Sequence, residues 1–261
     1  MKELLEQAII ASLDGGKEIL EVYSQDFSVE IKSDESPLTQ ADKNAHIAIE
    51  KVLLKTGIPI LSEEGKDIPY SERKDWKQFW MVDPLDGTKE FVKRNGEFTV
   101  NVALIENGVS ILGVIYVPVS KELYFAAQGI GSFKVDDVID FTSLDELISI
   151  GDKLPKKNDS GEVVIVASRS HLSKETEDFI NEQKLKFPKV DILSKGSSLK
   201  LCMVAEGRAK YYPRYAPTME WDTAAGQAIC EIAGFKVLQY RMEVSVVYNK
   251  EDLLNPWFLV C

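Results

Sequence analysis

The 261-residue chain is expected to adopt an α+β fold in two subdomains, and three features lead there. Two amphipathic helical patterns come first, short apolar runs joined by turn signals follow, and strand and helix patterns alternate in the second half. A polar stretch from 142 to 161, interrupted by Gly and Pro, separates the halves and places the subdomains at 1–145 and 146–261.

Residues 3–23 carry Leu5, Ile9, Leu13, Leu20 and Tyr23 at helical spacing, and Gly15-Gly16 inside this pattern reads as a close helix contact, because no strand precedes it. Phe27, Val29 and Ile31 alternate with polar residues as a half-buried strand does. The polar segment 33–42 leads into a second helix through Ala45, Ile49, Val52 and Leu53, which Thr39 or Asp42 could cap. Thr99–Ile105 and Ile111–Val117 flank Glu106-Asn107-Gly108, a strong hairpin signal. With further strands at Glu122–Ala126 and Gly131–Val135, the first half is an antiparallel sheet faced by helices. The second half reads as strands at Val163–Ala167, Val190–Leu193, Ala209–Tyr212, Phe235–Leu238 and Phe258–Val260, with helices at 174–187, Leu199–Ala205 and Ala224–Ala233. A mixed sheet between helices is expected, with ligands at the loops that follow its strands.

A formal charge of −11 argues against a nucleic-acid polymer as partner. No apolar run approaches the ~20 residues of a membrane span, and Met1–Gln7 lacks the blocks of a signal peptide. A cytoplasmic protein is expected, with peripheral association with the inner membrane left open. Cys202, Cys230 and Cys261 have no pairing or metal-ligand spacing, which fits a reducing compartment and makes zinc a poor candidate.

The chemistry concentrates in Asp83-Pro84-Leu85-Asp86-Gly87-Thr88, directly after the apolar run Gln78–Val82. Pro and Gly fix a turn in which two carboxylates can enter one pocket with the Leu85 carbonyl between them, a set of hard oxygens that suits Mg²⁺. Thr88–Val92 can begin a helical turn whose free N–H groups attract a phosphate. Taken alone, an Asp-Pro or Asp-Gly turn is an ordinary solvated loop, and so is Ser62-Glu63-Glu64-Gly65 after Ile58–Leu61. Further polar loops lie at Ser168–His171, Lys195–Lys200 and Tyr212-Pro213-Arg214, and Trp221-Asp222-Thr223-Ala224-Ala225-Gly226 opens a helix. Here Asp222 could be a helix cap, and His171 or Lys200 merely exposed.

Together, Ser62-Glu63-Glu64, Asp83–Thr88 and Trp221–Gly226 resemble, in order and across essentially the whole chain, the lithium-sensitive, magnesium-dependent phosphatases related to inositol monophosphatase. The resemblance implies a layered α-β-α-β-α sandwich with the site between the subdomains. It implies metal ligands at Glu63, Asp83, the Leu85 carbonyl, Asp86 and Asp222 for two or three Mg²⁺, and catalytic roles for Asp42, Glu63 and Thr88, with Thr88 oriented by Asp42 to align or deprotonate the attacking water.

Within the family, Ser36–Asp42, Lys89–Thr99, Ser168–His171, Gly196–Lys200 and Tyr212–Arg214 look most like the bacterial 3′(2′),5′-bisphosphate nucleotidase branch. Adenosine 3′,5′-bisphosphate would then be hydrolysed to AMP in support of sulfur assimilation. Gly87, Thr88, His171, Ser197, Ser198, Lys200, Arg214 and Asp222 would contact this small-molecule substrate. Inositol phosphatases carry a Glu seven residues before the Trp-Asp aspartate; here Tyr215 stands there beside Arg214, a ring and a cation that suit a base and a phosphate better than an inositol. The rival readings are an inositol or sugar monophosphatase of the same family and a non-catalytic nucleotide sensor. Oligomeric state is open.

Overall fold

The computed structural model describes residues 1–24, 30–31, 37–38, 40–156, 162–167 and 173–261. Helix α1 (Lys2–Tyr23) buries Leu5, Ile9, Leu13 and Ile19 along one stripe. After the short antiparallel pair β1 (Glu30–Ile31) and β2 (Pro37–Leu38), α2 (Gln40–Leu53) buries Ala41, Ala45, Ile49 and Val52. Apolar residues three to four apart make both segments helical and give each a single face for the core. Gly15-Gly16 is the expected close contact: a Cβ at Gly15 would sit 2.8 Å from Ile49 Cδ1, and one at Gly16 2.5 Å from the Tyr116 ring. Most of the strand expected at Phe27–Ile31 lies outside the described residues.

Strands β3 (Ile60–Ser62), β4 (Gln78–Asp86), β5 (Thr99–Glu106), β6 (Val109–Val117), β7 (Glu122–Ala127), β8 (Gly131–Val135) and β9 (Asp152–Lys153) line up in sequence order as a seven-stranded sheet among the described residues. All neighbours are antiparallel except β3, which lies parallel to β4 and so gives the expected antiparallel sheet a parallel edge. The β5–β6 hairpin turns at Asn107 and Gly108, with φ of +50° and +79°. Positive φ at both residues is what a two-residue turn matching the strand twist requires. Helices α3 (Tyr70–Arg73), α4 (Thr88–Val92) and α5 (Leu144–Ile150) connect the strands. Because α5 and β9 continue the first layer, a boundary at 145/146 falls inside α5.

Strand alternation gives the sheet two apolar faces. Trp80, Val82, Val102, Leu104 and Phe125 pack with α1 and α2, whereas Phe79, Met81, Ile105, Ile115 and Tyr124 point to the other side. In the second half, β10 (Val163–Ala167) pairs in parallel with β11 (Val190–Ser194) across α6 (Lys174–Lys186). Helices α7 (Leu199–Ala205) and α8 (Glu220–Ile232) cover the second face of the large sheet. Beyond them β12 (Tyr212–Arg214), β14 (Phe258–Val260) and β13 (Val237–Gln239) form an antiparallel sheet in that order. The single mixed sheet expected here is thus split in two, with an isolated bridge from Ile165 to Tyr211 between the parts. Short strands and the missing N–H of Pro213 keep that ladder from extending. With α6 outermost, the layers run α-β-α-β-α. No helix among the described residues is long and apolar enough to cross a membrane.

Candidate active site

The parallel β3–β4 edge brings the first two carboxylates together. Ser62 lies opposite Val82, and the Glu63 N–H donates to the Val82 carbonyl at 3.1 Å, so Glu63, just past the end of β3, stands beside Asp83 of β4. Against β5 the register of β4 shifts between Asp83, opposite Asn101, and Asp86, opposite Thr99. Such a bulge re-aims side chains that regular alternation would direct to opposite faces. The Asp83 Oδ1 accepts from the Leu85 N–H at 3.1 Å and stabilises the turn, while the Leu85 side chain is buried in the first core. Gly87 follows with φ +94° as the N-cap of α4, and a Cβ there would lie 3.3 Å from both the Glu97 carbonyl and Ser197 Cβ. Only glycine meets both conditions without strain.

Asp222 arrives from the first turn of α8. Its Oδ2 accepts from the Met219 N–H at 2.9 Å and the Thr218 hydroxyl at 2.5 Å, so it caps the helix and also joins the carboxylates. Glu63, Asp83 and Asp222 each offer an oxygen within 4.8 Å of the others. Burial pushes the Asp83 carboxyl well above the usual range, and the charges of Glu63, Asp86, Asp222 and Asp42 push it further. Asp222 is pushed up to about 6 by burial and by Asp86, against the two hydrogen bonds it accepts. Crowded, mutually repelling oxygens are the donor set of a hard divalent cation, whose charge reverses the local repulsion. The residues present therefore fit a metal. Asp42, buried in the first turn of α2, stands within electrostatic reach of this group.

Beside the carboxylates opens a cavity of about 490 Å³. Gly87, Thr88, Ser197, Ser198, Lys200 and Arg214 line it, which brings together the sequence-predicted substrate contacts apart from His171, which lies outside the described residues. The serines do more than line it: Ser197 and Ser198 donate to Asp86 Oδ2 at 2.6 and 2.7 Å. Lys200 is buried, and its ammonium donates to the carbonyls of Lys195 and Ser197, bracing the serine loop from below. Burial pushes its pKa down to about 8. Arg214 donates from Nη2 to the Pro217 carbonyl at 2.6 Å, and its buried Nε–H has no partner among the described residues.

Tyr215 departs from its expected place. Side chains alternate along β12, so Tyr212 and Arg214 face the cavity while Tyr215 turns to the opposite side, against Phe179, Tyr240 and Trp257. The aromatic ring at the cavity is that of Tyr212.

Sequence reasoning missed the residues that hold the serine loop. Thr99 shares a 2.7 Å hydrogen bond with Ser197, the Asn101 amide donates to Ser198 at 2.8 Å, and the Glu97 carboxylate accepts from the Gly196 N–H at 2.9 Å and from Lys195 at 3.1 Å. A signal was available: Thr99 and Asn101 are the polar residues of the buried stretch of the strand, before the exposed Glu106, and share one face of it.

The inositol monophosphatase family model matches residues 1–257. The 3′(2′),5′-bisphosphate nucleotidase CysQ of Salmonella typhimurium is 43% identical over 98% of this chain and 99% of its own length, and its counterpart in Escherichia coli K12 is 40% identical over the same shares. Among solved structures, CysQ from Bacteroides thetaiotaomicron, described as a bacterial member of the inositol monophosphatase family, superposes with a TM-score of 0.93 at 50% identity, covering 100% of this chain and 97% of that one. An inositol monophosphatase from Anabaena shares the fold, with a TM-score of 0.72 at 24% identity over 99% of this chain and 90% of its own. Fold, carboxylate cluster and near-complete alignment agree, and the chain belongs to the inositol monophosphatase family.

Proposed function

We propose that this protein is a magnesium-dependent 3′(2′),5′-bisphosphate nucleotidase that converts adenosine 3′,5′-bisphosphate to AMP and phosphate, in support of sulfur assimilation. The observation that carries the reading is the carboxylate group of Glu63, Asp83 and Asp222 opening onto a cavity that also presents Arg214. The curated nucleotidases at 40–43% identity over nearly the whole chain support the substrate class.

In this reading Glu63, Asp83, Asp86, Asp222 and the Leu85 carbonyl hold two or three Mg²⁺. Bound there, magnesium lowers the pKa of the attacking water and offsets charge on the departing 3′ oxygen. Thr88, oriented by Asp42, aligns the attacking water or deprotonates it, in which case the threonine hydroxyl takes the water's proton as it hands its own to the Asp42 carboxylate. The N–H groups at Gly87 and Thr88 face the scissile phosphate, Ser197 and Ser198 hold Asp86 in place, and Arg214 pairs with the retained 5′-phosphate through a guanidinium fork. His171, outside the described residues, is assigned to the adenosine or its phosphates from its sequence motif alone. The segment through β9 thus supplies most metal ligands, and the segment after it most of the nucleotide contacts.

The primary test is phosphate release from adenosine 3′,5′-bisphosphate and from inositol 1-phosphate under excess magnesium; preference for the inositol ester overturns the proposal. Activity should vanish in chelator, return with Mg²⁺, and be inhibited by Li⁺ and by excess Ca²⁺, whose looser coordination misplaces the reacting groups. Rates unchanged in chelator would exclude the metal assignment. Arg214→Ala should weaken kcat/KM for the bisphosphate by roughly 1.5–3 kcal/mol, the worth of a charge-assisted hydrogen bond. Adenosine 3′-monophosphate should suffer much less, and equal losses on the two substrates would assign Arg214 a structural role.

A further inference from the structure

We infer that Met219 and Leu254 form an apolar ledge on the wall of the substrate cavity that receives the nucleotide base and selects for a purine ring, an inference that rests on the bisphosphate nucleotidase reading above. A nucleoside 3′,5′-bisphosphate carries three groups on its ribose, and two already have partners. The scissile phosphate lies at the carboxylates and the retained phosphate at Arg214. The third group is a flat, uncharged ring, which calls for apolar area and not for charge.

Most of the cavity lining is polar or charged. Of its apolar members, Leu201 and Tyr212 are buried, which leaves Pro217, Met219 and Leu254 accessible on one wall. Leu254 is 41% exposed. A leucine exposed singly needs no explanation. This one pairs with Met219 in an isolated antiparallel bridge, and partners in such a bridge carry their side chains on the same face.

The ledge is held from both sides. The Glu220 N–H donates to the Leu253 carbonyl and the Asn255 N–H to the Thr218 carbonyl, each at 2.9 Å, and the buried Asn255 amide donates to the Met219 carbonyl at 2.7 Å. From the other side, the Met219 N–H and the Thr218 hydroxyl donate to Asp222, and Arg214 donates to the Pro217 carbonyl. The short stretch 214–222 therefore fixes the phosphate cation, the ledge and a metal-site carboxylate relative to one another. A ledge so fixed takes a ring at little cost in ordering. The methionine thioether adds a favourable contact with an aromatic ring. Neither side chain donates a hydrogen bond, so the ledge reads ring area, and a purine covers more of it than a pyrimidine.

Steady-state kinetics of Leu254→Ser test the inference, since this side chain is exposed and its loss opens no core. For adenosine 3′,5′-bisphosphate kcat/KM should fall about tenfold, the scale on which losing most of a leucine's apolar contact acts. The loss should appear in KM with kcat nearly unchanged, as for a contact made equally in the ground and transition states. Met219→Ala should show the same pattern, and Leu254→Ile should keep most of the wild-type value. Cytidine 3′,5′-bisphosphate should lose less, and 1-deoxyribose 3,5-bisphosphate, which has no base, almost nothing. Equal losses on the adenosine and base-free substrates would overturn the ledge and leave the nucleotidase reading standing. Wild-type protein that releases phosphate from none of the three would overturn that reading and the ledge with it.

Discussion

Asp83→Asn is expected to abolish turnover while making the metal-free protein more stable. Asp83 is 1% exposed and faces three or more other carboxylates, so its ionised form is disfavoured by burial and by Glu63, Asp86 and Asp222. Asparagine keeps an acceptor for the Leu85 N–H and removes the charge. Turnover should fall by at least about 10³, the scale on which removing a group central to transition-state stabilisation acts. The denaturation midpoint measured in chelator should rise. The same electrostatics set a pH dependence for the wild-type protein without metal. Asp222, with its pKa raised to about 6, binds its proton more tightly folded than unfolded. Its contribution to stability is therefore fully present below the ordinary Asp range and is lost as pH rises through about 6. Thermal unfolding in chelator should show a higher midpoint at pH 5 than at pH 7, with added magnesium reversing the order. A lower midpoint for Asp83→Asn in chelator would show that the cluster is not under mutual repulsion.

Glu220→Ala should produce the largest loss of stability. Glu220 is fully buried at the start of α8, accepts from the N–H groups of Asn249 and Lys250 at 2.7 and 3.0 Å, and is ion-paired with the Lys250 ammonium. Arg73 closes the same knot, donating to the Asn249 side chain and to the carbonyls of Lys250 and Glu251. Alanine would leave two N–H groups without their acceptor and the Lys250 ammonium, which keeps the Val247 carbonyl, without its counter-charge, a loss of about 3–5 kcal/mol. Urea unfolding should show a lower midpoint with an unchanged slope. Glu220→Gln, which keeps an acceptor, should lose less. A change under ~1 kcal/mol for alanine would mean that water replaces the carboxylate.

What could be read from the sequence was local. The Asp83–Thr88 turn, the hairpin at Asn107-Gly108 and the helix opened by Trp221-Asp222 each carry their signal within a few residues, because turn geometry and capping depend on nearest neighbours. The side to which Tyr215 points was not legible: on a three-residue strand, one position of uncertainty in where pairing begins reverses every side chain. Glu97, Thr99 and Asn101 acquire meaning only through a loop about a hundred residues away, which they clamp. The parallel pairing of β3 with β4, which seats Glu63 beside Asp83, likewise depends on sheet topology and not on local composition.

The two-faced sheet has a consequence for how the chain is made. Its first face is covered by α1 and α2, which precede it, but Phe79, Met81, Ile115 and Tyr124 are covered by α7 and α8, which follow it by many residues. A ribosome adding about 5–20 residues per second releases the end of α8 roughly 5–20 s after the end of β8. Throughout that interval the nascent sheet presents an uncovered apolar surface. A chain stalled before Glu220 would retain it indefinitely, making it a substrate for chaperones and a seed for aggregation.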